Sequence, residues 1–210
     1  MQKISRMSRR LMIAIIAMVF GIAGASAEFR WGPTAGVNFY DFHWKQDLIE
    51  QDARVGYNVG LMGEVMIPGI GFGIDFALKY NNHGSRLHLG EKKVWAVSGY
   101  GTETCTLHTL QIPLNLRFKW TRMNGLEDYI APLVYAGPVF NITVGHSDLK
   151  ALEYPAGCFG LQVGAGVELL KRIQLSGGYY WGLTYEIRTR KLDNFSARPQ
   201  GWNINLSYLF

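Results

Sequence analysis

Apolar and polar residues alternate with a period of two along most of the chain beyond residue 28. Val55, Tyr57, Val59, Leu61, Val65 and Ile67 share one parity, interrupted only by Gly63, while Gly56, Asn58, Gly60, Met62, Glu64 and Met66 share the other. After the tight Pro68-Gly69 turn, Ile70, Phe72, Ile74, Phe76, Leu78 and Tyr80 alternate with Gly71, Gly73, Asp75, Ala77, Lys79 and Asn81. Phe159 to Leu169 repeats the pattern, and so does the last segment, with Trp202, Ile204, Leu206, Tyr208 and Phe210 against Asn203, Asn205 and Ser207. Successive side chains of a strand point to opposite faces, so long alternation predicts strands. The pattern predicts eight of them, over 29–43, 54–67, 70–82, 105–120, 128–143, 157–170, 172–186 and 200–210. The facing of 128–143 stays open, because Pro132, Gly137 and Pro138 blur its parity.

The predicted connections alternate in length. Pro68-Gly69, Thr121–Glu127 and the neighbourhood of Lys171 are short, whereas 44–53, 83–104, 144–156 and 187–199 are long and polar. Strictly alternating short turns and long loops along an up-and-down meander indicate an outer-membrane barrel, with turns on the periplasmic side. Each segment reaches the roughly 9–11 residues that a tilted strand needs to span a bilayer. The expected fold is an all-β, eight-stranded antiparallel up-and-down transmembrane barrel.

A soluble barrel would also alternate, with its apolar face inward. The polar face separates the two. It carries Gly56, Gly60, Gly71, Gly73, Gly160, Gly164 and Gly166, small residues suited to a narrow tube. Among them stand Glu64, Asp75, Lys79, Asn115, Arg117, Lys119, Gln162, Glu168 and Gln174. A solvated face would hold more Lys and Glu and less Gly. The apolar face gathers Tyr80, Trp120, Trp181, Tyr185, Trp202 and Tyr208 towards strand ends, as interfacial aromatic girdles do.

The first 27 residues read as an export signal. Lys3, Arg6, Arg9 and Arg10 precede an apolar run from Leu11 to Ala23, and Ala25-Ser26-Ala27 is a small-x-small cleavage pattern. The domain division is therefore a cleaved signal peptide at 1–27 and a barrel at 28–210. This changes the meaning of the +5 formal charge, which comes from 21 basic against 16 acidic residues. Without those four leader residues, 17 basic groups face 16 acidic ones, and no nucleic-acid partner is expected.

The chain ends on Phe210, with Tyr208 on the same face. A terminal aromatic closing an alternating strand resembles the assembly signal of bacterial outer-membrane barrels, which implies the barrel assembly machinery as a partner. The whole plan resembles the small OmpA/OmpX-type barrels and, more specifically, the PorT-like barrel family of Bacteroidetes. Gly36-Val37-Asn38-Phe39, Leu110-Gln111-Ile112-Pro113-Leu114-Asn115-Leu116-Arg117 and Tyr135-Ala136-Gly137-Pro138 carry that resemblance. It implies an accessory role in a protein-secretion or envelope-assembly machine as one alternative.

Candidate chemistry is sparse. Glu64, Asp75, Lys79, Asn115, Arg117 and Glu168 are expected to form a polar network that plugs the lumen, since eight strands leave room only for side chains. His146-Ser147-Asp148 combines acid, base and nucleophile types, as a lipid A-modifying enzyme would need, but neighbouring side chains diverge and no triad is expected. His83 and His88, expected on a solvated loop, lack a third metal ligand. Arg86, Lys92 and Lys93 form a basic cluster within reach of lipopolysaccharide phosphates. Cys105 and Cys158 share the inward parity, and export permits a disulfide. Strand five separates them, however, and strands about 4.8 Å apart put their Cα atoms beyond the bridging limit of roughly 7 Å, so their pairing is left open. The expectation is a non-enzymatic monomer without metal or cofactor. It would contact outer-membrane lipid and lipopolysaccharide and meet any protein partner through its loops, in a structural, adhesive or envelope-interaction role.

Overall fold

The computed structural model describes residues 28–45, 50–67, 69–91, 93–189 and 196–210. The leader at 1–27, together with Pro68 and Lys92, lies outside the described residues. Ten strands form one sheet: β1 (Glu28–Trp44), β2 (Glu50–Met66), β3 (Phe72–His88), β4 (Thr102–Lys119), β5 (Ile130–His146), β6 (Leu152–Glu153), β7 (Gly157–Leu169), β8 (Ile173–Gly182), β9 (Ile187–Thr189) and β10 (Ser196–Tyr208). Eight of these, all but β6 and β9, pair antiparallel with their neighbours, and β10 closes on β1 from Thr34↔Ser207 to Trp44↔Ala197. Closure leaves no sheet edge in lipid and satisfies the backbone between strands, the condition for spanning a bilayer without helices.

The alternation places side chains as the sequence pattern requires. Val59, Leu61, Phe76, Leu78, Leu114, Leu116, Ile204 and Leu206 project outward and are exposed, while Asn58, Asp75, Asn115, Arg117, Asn203 and Asn205 are buried in the lumen. For β5 the facing is now settled. Ala131, Leu133, Tyr135, Val139 and Asn141 point in, and Ile130, Val134, Phe140 and Ile142 point out. The glycines make room for large lumen side chains. A Cβ on Gly164 would lie 2.3 Å from the Tyr135 ring, and one on Gly160 would lie 2.5 Å from that of Tyr180. Gly71, expected on this face, instead lies before β3 in the turn with φ +83°.

The connections 67–71, 120–129 and 170–172 share one end, where an outer-membrane barrel keeps its periplasmic turns; at the other end the expected long loop 44–53 shrinks to 45–49, because β1 and β2 extend into it. The β7–β8 link has three residues, 170–172; Leu170 and Lys171 are both left-handed at φ 53° and 57°, and the Arg172 N–H donates to the Leu169 carbonyl oxygen at 3.1 Å. That is the primed geometry matching the twist of hairpin strands.

The strands run further than expected at the opposite, extracellular end. β3 continues past residue 82 to His88 and β4 begins at Thr102, so the expected loop 83–104 shrinks to a cap containing the short helix α1 (Lys93–Ala96). Conversely, the expected strand 172–186 stops at Gly182. The chain then forms β9, which pairs with β10 and with β6 above the barrel wall.

Candidate functional site

Near the periplasmic end the lumen is filled by ion pairs. Glu64 of β2 is fully buried and accepts from Arg117 Nη1 at 2.8 Å, Lys119 Nζ at 2.9 Å and Gln174 Nε2 at 2.8 Å, and it also pairs with Arg30. Glu168 accepts from Lys119 Nζ at 2.6 Å, Arg30 Nη2 at 2.7 Å and Gln174 Nε2 at 2.7 Å. Asp75 accepts from Arg117 Nε at 2.8 Å and Asn115 Nδ2 at 2.6 Å, and Gln162 donates onward to Asn115 at 2.8 Å. Five of the six residues singled out from parity therefore lie in one hydrogen-bonded network. Arg30 belongs to it as well and was missed, although it shares the inward parity of Thr34 and Asn38. Lys79 stands apart, one layer higher, with Asn205 Oδ1 at 3.5 Å.

Above this network lies an amide and aromatic layer. Asn38 Nδ2 donates to Asn81 Oδ1 at 2.7 Å, and Asn81 Nδ2 donates to His83 Nδ1 at 3.1 Å. His83 Nε2 then lies 3.0 Å from Glu186 Oε2. With Nδ1 facing the Asn81 amide nitrogen, Nε2 is the nitrogen turned to the carboxylate. His83 was expected on a solvated loop, but the extension of β3 buries it at 2% exposure beneath Tyr40 and Phe42. His88 sits at the strand end, 3.1 Å from Asp52. Among the described residues, no cluster of three His, Cys, Asp or Glu side chains is arranged to hold a metal.

The top of the lumen is sealed by apolar packing. Phe42, Trp44, Leu87, Leu89, Trp95, Leu107, Leu152 and Ile187 form one buried cluster, into which Cys105 and Ala197 also pack. Cys105 belongs to this cap, whereas Cys158 faces Asn141 and, through it, Gln111 further down β4. The two cysteines are thus separated by on the order of 20 Å along the strand direction. Both thiols are free, so the disulfide left open by the sequence does not form.

The outer wall at this height is polar. Arg54 donates to Thr106 Oγ1 at 2.6 Å, and Asn82 Nδ2 donates to His108 Nδ1 at 3.1 Å. In the loop beyond β8, the Arg198 guanidinium lies 4.9 Å over the Tyr185 ring and donates to its hydroxyl, holding that phenol below the usual tyrosine range. Burial pushes the Tyr154 phenol up. His146 stacks on Tyr154 at 4.2 Å, and its Nδ1 lies on the Ser147 carbonyl oxygen. The Ser147 hydroxyl meanwhile accepts the Thr106 N–H at 3.1 Å. The pattern His146-Ser147-Asp148 is therefore not joined as base and nucleophile. Arg86 is exposed on the outer wall, and Lys93 lies on α1.

A closed eight-stranded antiparallel tube, with an apolar outer band, a polar lumen and short turns at one end, defines a small outer-membrane β-barrel. The chain belongs to the outer membrane protein beta-barrel domain family, whose family model matches residues 20–188, and its place is the outer membrane. Among solved structures it is similar to the outer membrane protein OprG of Pseudomonas aeruginosa, at 12% identity and a TM-score of 0.58, covering 89% of this chain and 97% of that one. Outer membrane protein W of E. coli aligns at 14% identity and a TM-score of 0.49, covering 88% and 97%. Ail, the attachment invasion locus protein of Yersinia pestis, aligns at 14% identity and a TM-score of 0.43, covering 87% and 99%. At these identities the likeness concerns the fold alone. No curated protein matches the chain significantly in sequence.

Proposed function

We propose that this barrel acts through its extracellular surface in a structural, adhesive or envelope-interaction role. It neither conducts solute through its lumen nor performs catalysis. The observation that supports this reading is the double closure of the lumen. A solute would have to cross the Glu64–Arg117–Lys119–Glu168 network and then the apolar cluster around Trp95 and Leu107. Among the described residues, the β3–β4 hairpin offers surface to a partner. Its tip carries Val94 and Val97 at 50% and 88% exposure beside Lys93, apolar surface of the kind a partner covers.

Two measurements test the reading. Refolded into planar bilayers, the protein is expected to give no steady conductance, and regular conductance steps would overturn the closed-lumen reading. A deletion strain is expected to lose surface attachment or envelope integrity, with recovery on adding back the wild type but not Val94→Asp/Val97→Asp. A defect confined to protein secretion would instead favour the accessory role implied by the PorT-like resemblance. A changed lipid A profile would favour a lipid-modifying enzyme.

A further inference from the structure

Below the layer of His83 and Glu186 the lumen charges do not balance. Arg30, Arg117 and Lys119 stand against Glu64, Asp75 and Glu168, and each of the six makes an ion pair of 2.8 Å or shorter within that set. Three positive charges meet three negative ones. Lys79 is a fourth cation in the same tube. It is 8% exposed and has no Asp or Glu oxygen within 4.0 Å among the described residues. Its hydrogen-bond partner is the neutral Asn205 Oδ1, at the long distance of 3.5 Å. An ammonium removed from water without a direct ion pair is a costly arrangement for a protein interior.

Beside Lys79 the lumen opens into a cavity of about 30 Å³, which Thr34, Tyr135 and Ser176 also line. This is room for a particle of about the size of one water. The lining supplies donors. Thr34 Oγ1 already accepts from Ser207 at 2.8 Å, so its own proton can turn towards the cavity. Asp75 also lines the space and acts on Lys79 through space, but its two oxygens are bonded to Arg117 and Asn115, and Arg117 adds a second positive charge to the lining.

We propose that this cavity binds a small monovalent anion, a halide of chloride size, held by the Lys79 ammonium and the surrounding hydroxyls. The anion neutralises the fourth cation and is enclosed when the barrel closes. A water molecule is the competing occupant.

The test uses the whole mature chain, refolded at constant ionic strength in chloride or in the bulky anion gluconate. Folded and unfolded forms are counted by heat-modifiable gel mobility. In wild type the unfolding constant is expected to fall about tenfold for each tenfold rise in chloride above its dissociation constant, and to stay flat in gluconate. Lys79→Met is expected to be flat in both. Equal stability of the wild type in the two salts overturns the proposal, and so does a chloride dependence that survives in Lys79→Met. Should that variant not fold, crystals of wild type grown in bromide decide. An anomalous peak beside Lys79 Nζ supports the site, and a water there without such a peak sinks it.

Discussion

The two ends of the lumen are closed by opposite chemistry. At the periplasmic end, Glu64, Asp75 and Glu168 hold three cations and two amides in one network. At the extracellular end, Leu87, Trp95, Leu107 and Ile187 pack without an ion between them. The wall outside each plug changes with it. Around the charged plug the outer wall is apolar, with Phe72, Leu114, Leu116 and Leu206 exposed. Around the apolar plug it carries Arg86, Thr104, Thr106, His108 and Arg198. Each of β3 and β4 therefore exchanges its inside and outside polarity part-way along its length. Within the membrane the wall must satisfy lipid, so polar groups are left to the lumen and must pair there. Above the membrane the same wall faces water, and the interior becomes an ordinary hydrophobic core.

Breaking the charged plug should have the largest effect. Glu64→Ala removes the oxygens that hold Arg30, Arg117 and Lys119, leaving three cations, two of them buried, around two carboxylates. A loss of about 3–5 kcal/mol is expected, measured by urea unfolding of barrels folded in vesicles. A loss below 1 kcal/mol would mean that the network is loosely held or hydrated. The polarity exchange can be tested along β4 alone. Leu114→Arg puts a charge in the lipid-facing band and should cost about 2–4 kcal/mol, whereas Thr106→Arg, on the same face but above the band, should cost no more than about 1 kcal/mol. Equal costs at the two positions would contradict the placement of the membrane boundary between them. In the apolar plug, Leu87→Ala should cost about 2–3 kcal/mol through the cavity it leaves. Its signature differs from that of Glu64→Ala: faster protease cleavage within 89–101, with the spanning strands still folded.

This inversion also explains which features were legible in the sequence. Where the wall meets lipid, parity reads cleanly, and it identified Glu64, Asp75, Asn115, Arg117 and Glu168 as lumen residues. The same reading reached the closed eight-stranded barrel. Near Asn81 in β3 and Thr109 in β4 the polar residues move to the outside. Alternation then no longer looks like that of a membrane strand, so β3 was ended at residue 82 and His83 assigned to a loop. The partner of His83 was out of reach for another reason. Glu186 follows the break at Gly182, and nothing local in either segment indicates a contact between residues 103 positions apart. The facing of β5 was hidden because Pro132, Gly137 and Pro138 add no clear polarity to either face.

The smallest effect is expected at the periplasmic rim, outside both plugs. Lys171 Nζ lies 2.7 Å from Asp128 Oδ1, with both side chains more than half exposed. That hydrogen bond raises the lysine above its ordinary value of 10.5. A raised lysine favours the folded state while protonated, so its contribution is complete below pH 10.5 and disappears as pH rises through the folded value. Water and salt screen such a pair, leaving little stability to lose. Lys171→Met, which leaves the side chain unbranched in the left-handed turn, should therefore shift the unfolding midpoint only slightly. The difference from wild type should be flat from about pH 7 to pH 10, close above pH 10.5 and shrink in 1 M salt. A large difference, or one that widens at high pH, would mean that Lys171 supports the charged plug through more than this exposed ion pair. The place to look would then be its carbonyl oxygen, which accepts from Arg30 Nη1 at 2.5 Å and ties the turn to the network above it.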